Sequence, residues 1–205
     1  MASEEIHERI KSMARRARAA ALKLSQLSTD EKNAILAAMA TGLREATPAV
    51  LAANAKDLSA GGEKGRAPAM LDRLRLDEAR VEAIAGGIEQ VAGLPDPVGQ
   101  VMESWTRPNG MRLEQVRVPI GTIGIIFESR PNVTSDAAVL CLKAGNATIL
   151  RGGSEAIHSN RAIAEALASA GAAAGMPDDA IQLVPFTDRE SVSALCGMER
   201  WLDVI

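Results

Sequence analysis

Residues 118–160 read VPIGTIGIIFESRPNVTSDAAVLCLKAGNATILRGGSEAIHSN, and this stretch decides the fold. Residues 122–127 are a short apolar run with no polar face, the mark of a strand buried on both sides. Residues 134–144 then carry apolar side chains at helical spacing and close at Gly145, a glycine stop. The pattern repeats, with a strand over 147–150 and a helix over 155–174 that ends at Gly175. Further on, 181–184 form a third strand, Thr187 with Glu190 caps a short helix, and 202–205 begin another strand. Four such strand–helix steps specify right-handed crossovers and a parallel, Rossmann-like sheet covered on both faces, so the fold class is α/β. A parallel strand ordinarily feeds a ligand-binding loop at its carboxyl end, so stopping at Ile205 reads as an interruption.

Working towards the N-terminus, the chain is helical up to Leu94. Ile6, Ile10, Met13, Ala17, Ala20 and Leu24 recur at three and four residues on a surface rich in Arg and Lys. Ser28 with Glu31 forms a capping box that opens a second helix through Ile35, Met39 and Leu43, and Thr47-Pro48 opens a third that Gly61-Gly62 stops. A last helix covers 77–92, and Pro95 and Pro97 break the pattern. Residues 100–107 and 111–118 are then extended, separated by Pro108-Asn109-Gly110, in which Asn-Gly is a strong hairpin signal. An isolated hairpin is marginal in water, so this one is expected to pack on a sheet elsewhere in the full fold or in another subunit. Residues 1–98 and 119–205 are therefore read as one α/β domain, incomplete at its C-terminal end, and 99–118 as a protruding β-hairpin and candidate oligomerisation arm.

Composition narrows the function classes. With 23 Lys and Arg against 26 Asp and Glu, the net charge of -3 supplies no field that would gather nucleic acid. Two Phe, two Trp and no Tyr leave almost nothing for bases to stack on. No window approaches the run of about 18 apolar residues that a membrane span needs, and the first residues lack the apolar core of a secretory signal, so the expected location is cytoplasmic, with no membrane partner. Cys141 and Cys196 form no CxxC pair, and His7 and His158 are too scattered to complete a metal site. Cys141 shares a helical stripe with Ala137, Leu140 and Ala144, and Cys196 one with Val192 and Leu195, so both read as buried core residues instead of nucleophiles.

In an open α/β sheet, ligands bind beyond the carboxyl ends of the strands, which selects the loops 128–132 and 151–155. In the second, Gly152 and Gly153 would let backbone approach a ligand, Ser154 stands at a helix start, Arg151 could pair with a phosphate, and Glu155 could accept from a ribose hydroxyl. A plain strand-to-helix turn with a surface Arg remains open. Gly121 and Gly124 precede their strand instead of following it and so do not form a dinucleotide fingerprint. The first loop gathers Glu128, Ser129, Arg130 and Asn132; Arg130 could hold an anion and Asn132 could donate to an oxyanion, while a bare turn capped by Asn132 or Thr134 is the alternative.

Three stretches, 118–134, 142–146 and 149–160, closely resemble the gamma-glutamyl phosphate reductase (glutamate-5-semialdehyde dehydrogenase) family of the aldehyde dehydrogenase superfamily, and the likeness extends more loosely over the whole chain. The resemblance implies an aldehyde-dehydrogenase-like nucleotide-binding domain and reduction of L-glutamyl 5-phosphate by NADPH to L-glutamate 5-semialdehyde and phosphate, the second step of proline synthesis from glutamate. In that family a cysteine thiolate displaces phosphate and the resulting thioester is reduced; sulfur donates little resonance to the carbonyl, which makes it a good hydride acceptor. The resemblance places Arg151 against the adenosine ribose of NADP, Gly152, Gly153, Ser154 and Glu155 in the cofactor loop, Glu128, Ser129 and Arg130 by the substrate, and Asn132 at the oxyanion position with Arg130 as its competitor. It also implies homo-oligomers, glutamate 5-kinase as a partner, and a catalytic domain with its nucleophilic cysteine that this sequence lacks, so the chain alone is expected to be inactive. Two other readings stand beside it. One is another acylating aldehyde dehydrogenase, which would leave residues 128–134 and the 151–155 loop unexplained. The other is a non-catalytic nucleotide-binding or assembly module that pairs through its hairpin.

Overall fold

A computed structural model describes residues 3–205. The helical part comprises α1 (Ser3–Leu24), α2 (Thr29–Glu45), α3 (Thr47–Glu63), α4 (Pro68–Leu74) and α5 (Glu78–Gly93). α1 buries the six apolar residues that its spacing selects. α2 opens on the expected capping box, with the Ser28 N–H donating to Glu31 Oε2 at 2.7 Å and the Ser28 hydroxyl accepting from the Glu31 N–H. α3 does not stop at Gly61-Gly62. It continues to Glu63 and closes at Gly65, where φ is +64°; the Gly65 N–H donates to Gly62 O and the Arg66 N–H to Gly61 O, a Schellman motif. Gly61 is instead a packing position, since a Cβ there would stand 2.9 Å from Leu71 Cδ2. α4 has no counterpart in the sequence pattern, because seven residues are too short to display a period.

Strands β1 (Val101–Thr106) and β2 (Arg112–Val116) pair antiparallel in a two-stranded sheet of their own. Their turn is the Pro108-Asn109-Gly110 segment that the spacing selects. The Arg107 N–H donates to Met111 O, the Gly110 N–H donates to Arg107 O, and Gly110 alone takes the left-handed conformation at φ +85°, which gives a three-residue loop. Nearly every residue of the hairpin is exposed, Val101, Met102, Trp105, Met111 and Val116 included.

Strands β3 (Thr122–Ile126), β4 (Ala147–Arg151) and β5 (Ile181–Leu183) form a parallel sheet in the order β3-β4-β5. Their connections carry α6 (Asn132–Lys143) and α7 (Ile157–Ala173), which end just before the predicted Gly145 and Gly175, and α8 (Arg189–Cys196) follows β5. There are thus three full strand–helix steps, not four. The last segment contributes a single parallel bridge, Ile123 to Val204, on the side of β3 away from β4. The chain therefore steps outwards from β3 to β5 and returns beside β3, and strand order reverses there. α6 and α7 cover one face with α2, α3 and α5 packed behind them, while α1, from far upstream, joins α8 on the other. Gly121 precedes β3, but Gly124 lies inside it, against Leu202 and Ile205.

Two local expectations need correction. α8 is capped at Asp188, not Thr187, and without a side-chain cap bond; the Ser191 hydroxyl instead donates back to Asp188 O at 2.6 Å. Cys196 is exposed, because α8 buries Ser191, Ala194 and Leu195 and the next residue turns about 100° away from that face. Cys141 is buried as expected, although on a stripe with Ala138 and Leu142, since Leu140 is exposed. No helix among the described residues is long and apolar enough to cross a membrane.

Candidate functional site

The parallel register brings the two selected loops side by side at the carboxyl end of the sheet. The Phe127 N–H donates to Arg151 O, and the Gly153 N–H donates to Glu128 O at 3.1 Å, so the turn after β4 is laced to the turn after β3. Between them opens a cleft of about 700 Å³, lined by Phe127, Glu128, Ser129, Arg151, Gly153, Ser154, Glu155, Thr187 and Arg189 among others. That volume suits a small-molecule ligand. Gly152 and Gly153 are buried, and what approaches them is protein: a Cβ on Gly152 would overlap Asn160 Nδ2 and lie 3.1 Å from Phe127 Cζ, and one on Gly153 would lie 2.5 Å from Glu155 Oε2. The glycines thus permit close packing of the turn under the cleft.

Arg151 straps the end of β4 to the start of α8. Its Nε donates to Ser191 Oγ at 3.2 Å, Nη1 to Gly152 O at 3.2 Å, and Nη2 to Thr187 O at 2.6 Å and Asp188 O at 3.3 Å. All four acceptors are neutral. No carboxylate pairs with Arg151 or with the exposed Arg189 among the described residues, so the cleft wall carries two guanidinium charges that no carboxylate neutralises, that of Arg151 already held by four hydrogen bonds with one of its five N–H donors left over.

Three residues that sequence reasoning missed hold this loop. Asp57, buried on α3, accepts from the His158 N–H at 3.2 Å, the Ser159 N–H at 2.8 Å and the Ser159 hydroxyl at 2.6 Å. It thereby caps α7 from another helix, where α7 has no side-chain cap of its own. Asn54, one turn earlier, donates to Leu74 O and Ser159 Oγ and accepts from the Leu76 N–H. Arg66 Nη2 pairs with Glu155 Oε1 at 2.8 Å. No local pattern points to these residues, because their partners lie 20 to 105 positions away.

Arg130 and Asn132 do not face this cleft. They line a second concavity of about 410 Å³ with Arg75, Arg80, Asp72 and Asp136. Neither Asn132 nor Thr134 caps α6; the N-cap is Pro131. The Asn132 amide donates to Asp136 Oδ2 at 2.8 Å, and burial pushes the Asp136 carboxyl up, an effect that this hydrogen bond opposes. Glu128 and Ser129 are thus separated from Arg130 and Asn132 although they adjoin in sequence. Neither cysteine lines either concavity. Burial pushes the Cys141 thiol up, which disfavours the thiolate, and Cys196 lines a shallow hollow with Glu199 and Asp203.

A parallel sheet whose strand order reverses, with a charged cleft at its carboxyl ends, defines the open α/β class that binds ligands beyond its strands, and the chain belongs to the aldehyde dehydrogenase family, which it matches over residues 2–202. Within that family its likeness is to gamma-glutamyl phosphate reductases. It is 53% identical to that of Geobacter metallireducens over 200 residues, covering 98% of this chain and 48% of the relative. It is 57% identical to that of Rhodospirillum rubrum over 191 residues, covering 93% and 45%. The crystal structure of the Thermotoga maritima gamma-glutamyl phosphate reductase superposes with a TM-score of 0.92 at 39% identity, over 94% of this chain and 47% of that one. The chain spans about half the length of the curated relatives it matches.

Proposed function

We propose that this chain forms the NADP-binding part of an oxidoreductase that converts L-glutamyl 5-phosphate to L-glutamate 5-semialdehyde and phosphate, within proline synthesis in the cytoplasm. The observation that carries the reading is the cleft at the carboxyl ends of β3 and β4, where Arg151 and Arg189 have no carboxylate partner among the described residues. An anionic dinucleotide fits such a wall. Arg151 would hold a phosphate, Gly152, Gly153 and Ser154 would shape the turn beneath it, and Glu155 would accept from a ribose hydroxyl. NADPH, when bound, supplies the hydride. Glu128 and Ser129 border the same cleft and are assigned to the substrate side; Arg130 and Asn132, in the neighbouring concavity, are assigned to the acyl group and its oxyanion.

The nucleophilic cysteine is assigned to the part of the relatives that this chain does not span. In support, Cys141 is buried and Cys196 stands in a separate hollow. The chain alone therefore binds nucleotide without reducing substrate. The exposed hairpin of β1 and β2 is assigned to pairing with another copy of the chain, and glutamate 5-kinase, which makes the labile acyl phosphate, is the expected partner enzyme.

Calorimetric titration of NADPH into the chain is expected to give saturable binding that Arg151→Ala weakens about tenfold, the weight of a charge-assisted hydrogen bond. Absence of any nucleotide binding would overturn the assignment of the cleft. A measurable rate of NADPH-dependent semialdehyde formation would overturn the placement of the nucleophile outside the chain.

A further inference from the structure

The cleft is electrically balanced without a residue that does not line it. Arg151 and Arg189 face Glu128 and Glu155, two positive against two negative. Arg66, reaching in from the α3–α4 connection, pairs with Glu155 and tips the balance by one positive charge. Its position is set by backbone: Arg66 is the residue after Gly65 in the Schellman motif, its N–H donates to Gly61 O, and its Cδ lies 3.6 Å from where a Cβ on Gly61 would stand. The end of α3 therefore aims a guanidinium at the carboxylate of the cofactor loop. The pair occupies Glu155 Oε1, while Oε2 turns back over Gly153.

We infer that Arg66 determines specificity: by neutralising Glu155 it lets the cleft accept an adenosine ribose that bears an extra phosphate in preference to one with free hydroxyls. This rests on the cofactor reading given above. A bare Glu155 would repel a dianionic 2′-phosphate and would accept from a 2′-hydroxyl, so the same carboxylate selects opposite ligands according to whether Arg66 is paired with it. The effect acts through charge at short range and does not require Arg66 to touch the ligand.

The test measures dissociation constants of adenosine 2′,5′-bisphosphate and of AMP for the 205-residue chain by calorimetry at one ionic strength. The wild type is expected to prefer the bisphosphate. Arg66→Met, which keeps the stem over Gly61, is expected to shrink that preference on the order of tenfold, mostly by loss of bisphosphate affinity. Arg66→Lys should retain most of it, and adding Glu155→Gln to Arg66→Met should restore it. If both nucleotides bind and Arg66→Met leaves the ratio unchanged, the role of Arg66 is overturned while the cofactor reading stands. If neither nucleotide binds the wild type, the cofactor reading fails and this inference with it. Should Arg66→Met not fold, as judged by circular dichroism, Glu155→Gln alone decides, since it should raise bisphosphate affinity and an unchanged ratio overturns the inference.

Discussion

Asp57 and Asp96 both have carboxylates largely shielded from solvent, one under the cleft loop and one at the base of the hairpin, and they are held by different means. Asp57 sits beneath the cleft loop and meets no cation among the described residues; the N-terminus of α7 supplies two N–H groups and the Ser159 hydroxyl a third donor. Asp96 sits at the base of the hairpin arm, where no helix starts. There the Lys32 ammonium lies 2.5 Å from Oδ2, the Val98 N–H donates to Oδ1 at 3.0 Å, and the Thr29 hydroxyl donates to Oδ2 at 2.8 Å. Burial opposes the charge on Asp96, but these partners outweigh it and hold the carboxyl below its ordinary range. Lys143, beside this pair, donates to Asn33 Oδ1 and to Ala92 O at the end of α5, and burial lowers it. A helix start offers ready donors and partial positive charge without a second ion to desolvate; where the chain lacks one, a buried lysine takes its place.

The largest expected effect breaks the ionic root. Lys32→Met strands a buried carboxylate and is expected to lower stability by about 4 kcal/mol in urea unfolding. Because the folded Asp96 titrates below its unfolded value of about 4, the contribution is complete above that pH and disappears as pH falls through the folded value. The gap between wild type and variant should therefore hold steady above about pH 4 and close as the pH falls below that unfolded value; a constant gap would mean that Asp96 is not the group concerned.

Next in size, Asp57→Ala orphans the His158 and Ser159 donors and is expected to cost about 3 kcal/mol by thermal unfolding. Nucleotide affinity sharpens the contrast: Asp57→Ala should weaken it by loosening the turn before α7, whereas Lys32→Met, measured below its Tm, should not. Equal losses would erase the distinction between the two roots. At the small end, Trp105→Ala on the exposed arm should change stability by no more than about 0.5 kcal/mol, yet lower the fraction of assembled chains in sedimentation. A large thermal shift would show that the arm packs within its own chain.

Features governed by neighbours in sequence were legible in advance. The six-residue face of α1, the Ser28–Glu31 box, the Thr47-Pro48 start and the strand–helix alternation after Pro119 all depend on residues within a turn or two of one another. The misreadings share a cause. Gly61-Gly62 resembles a stop, but a glycine ends a helix only where it takes positive φ, and here Gly65 does so while Gly61 stays inside α3 and packs close to Leu71. Cys196 resembles core because its stripe was extended past the last turn that α8 buries. Loop 128–132 resembles one site, but the start of α6 turns its two halves into different concavities.

The sequence alone determined the α/β order, the hairpin, the two loops beyond the strands and the likeness to the reductases, because periodicity, caps and motifs are local. Tertiary structure decided what those loops do. It turned Arg151 into a strap on α8, placed Asp57 as the cap of a helix about a hundred residues away, and set Arg66 on Glu155. Such contacts depend on how helices of different segments stack against one sheet, and nothing in the spacing of residues along a chain encodes a distance across that stack.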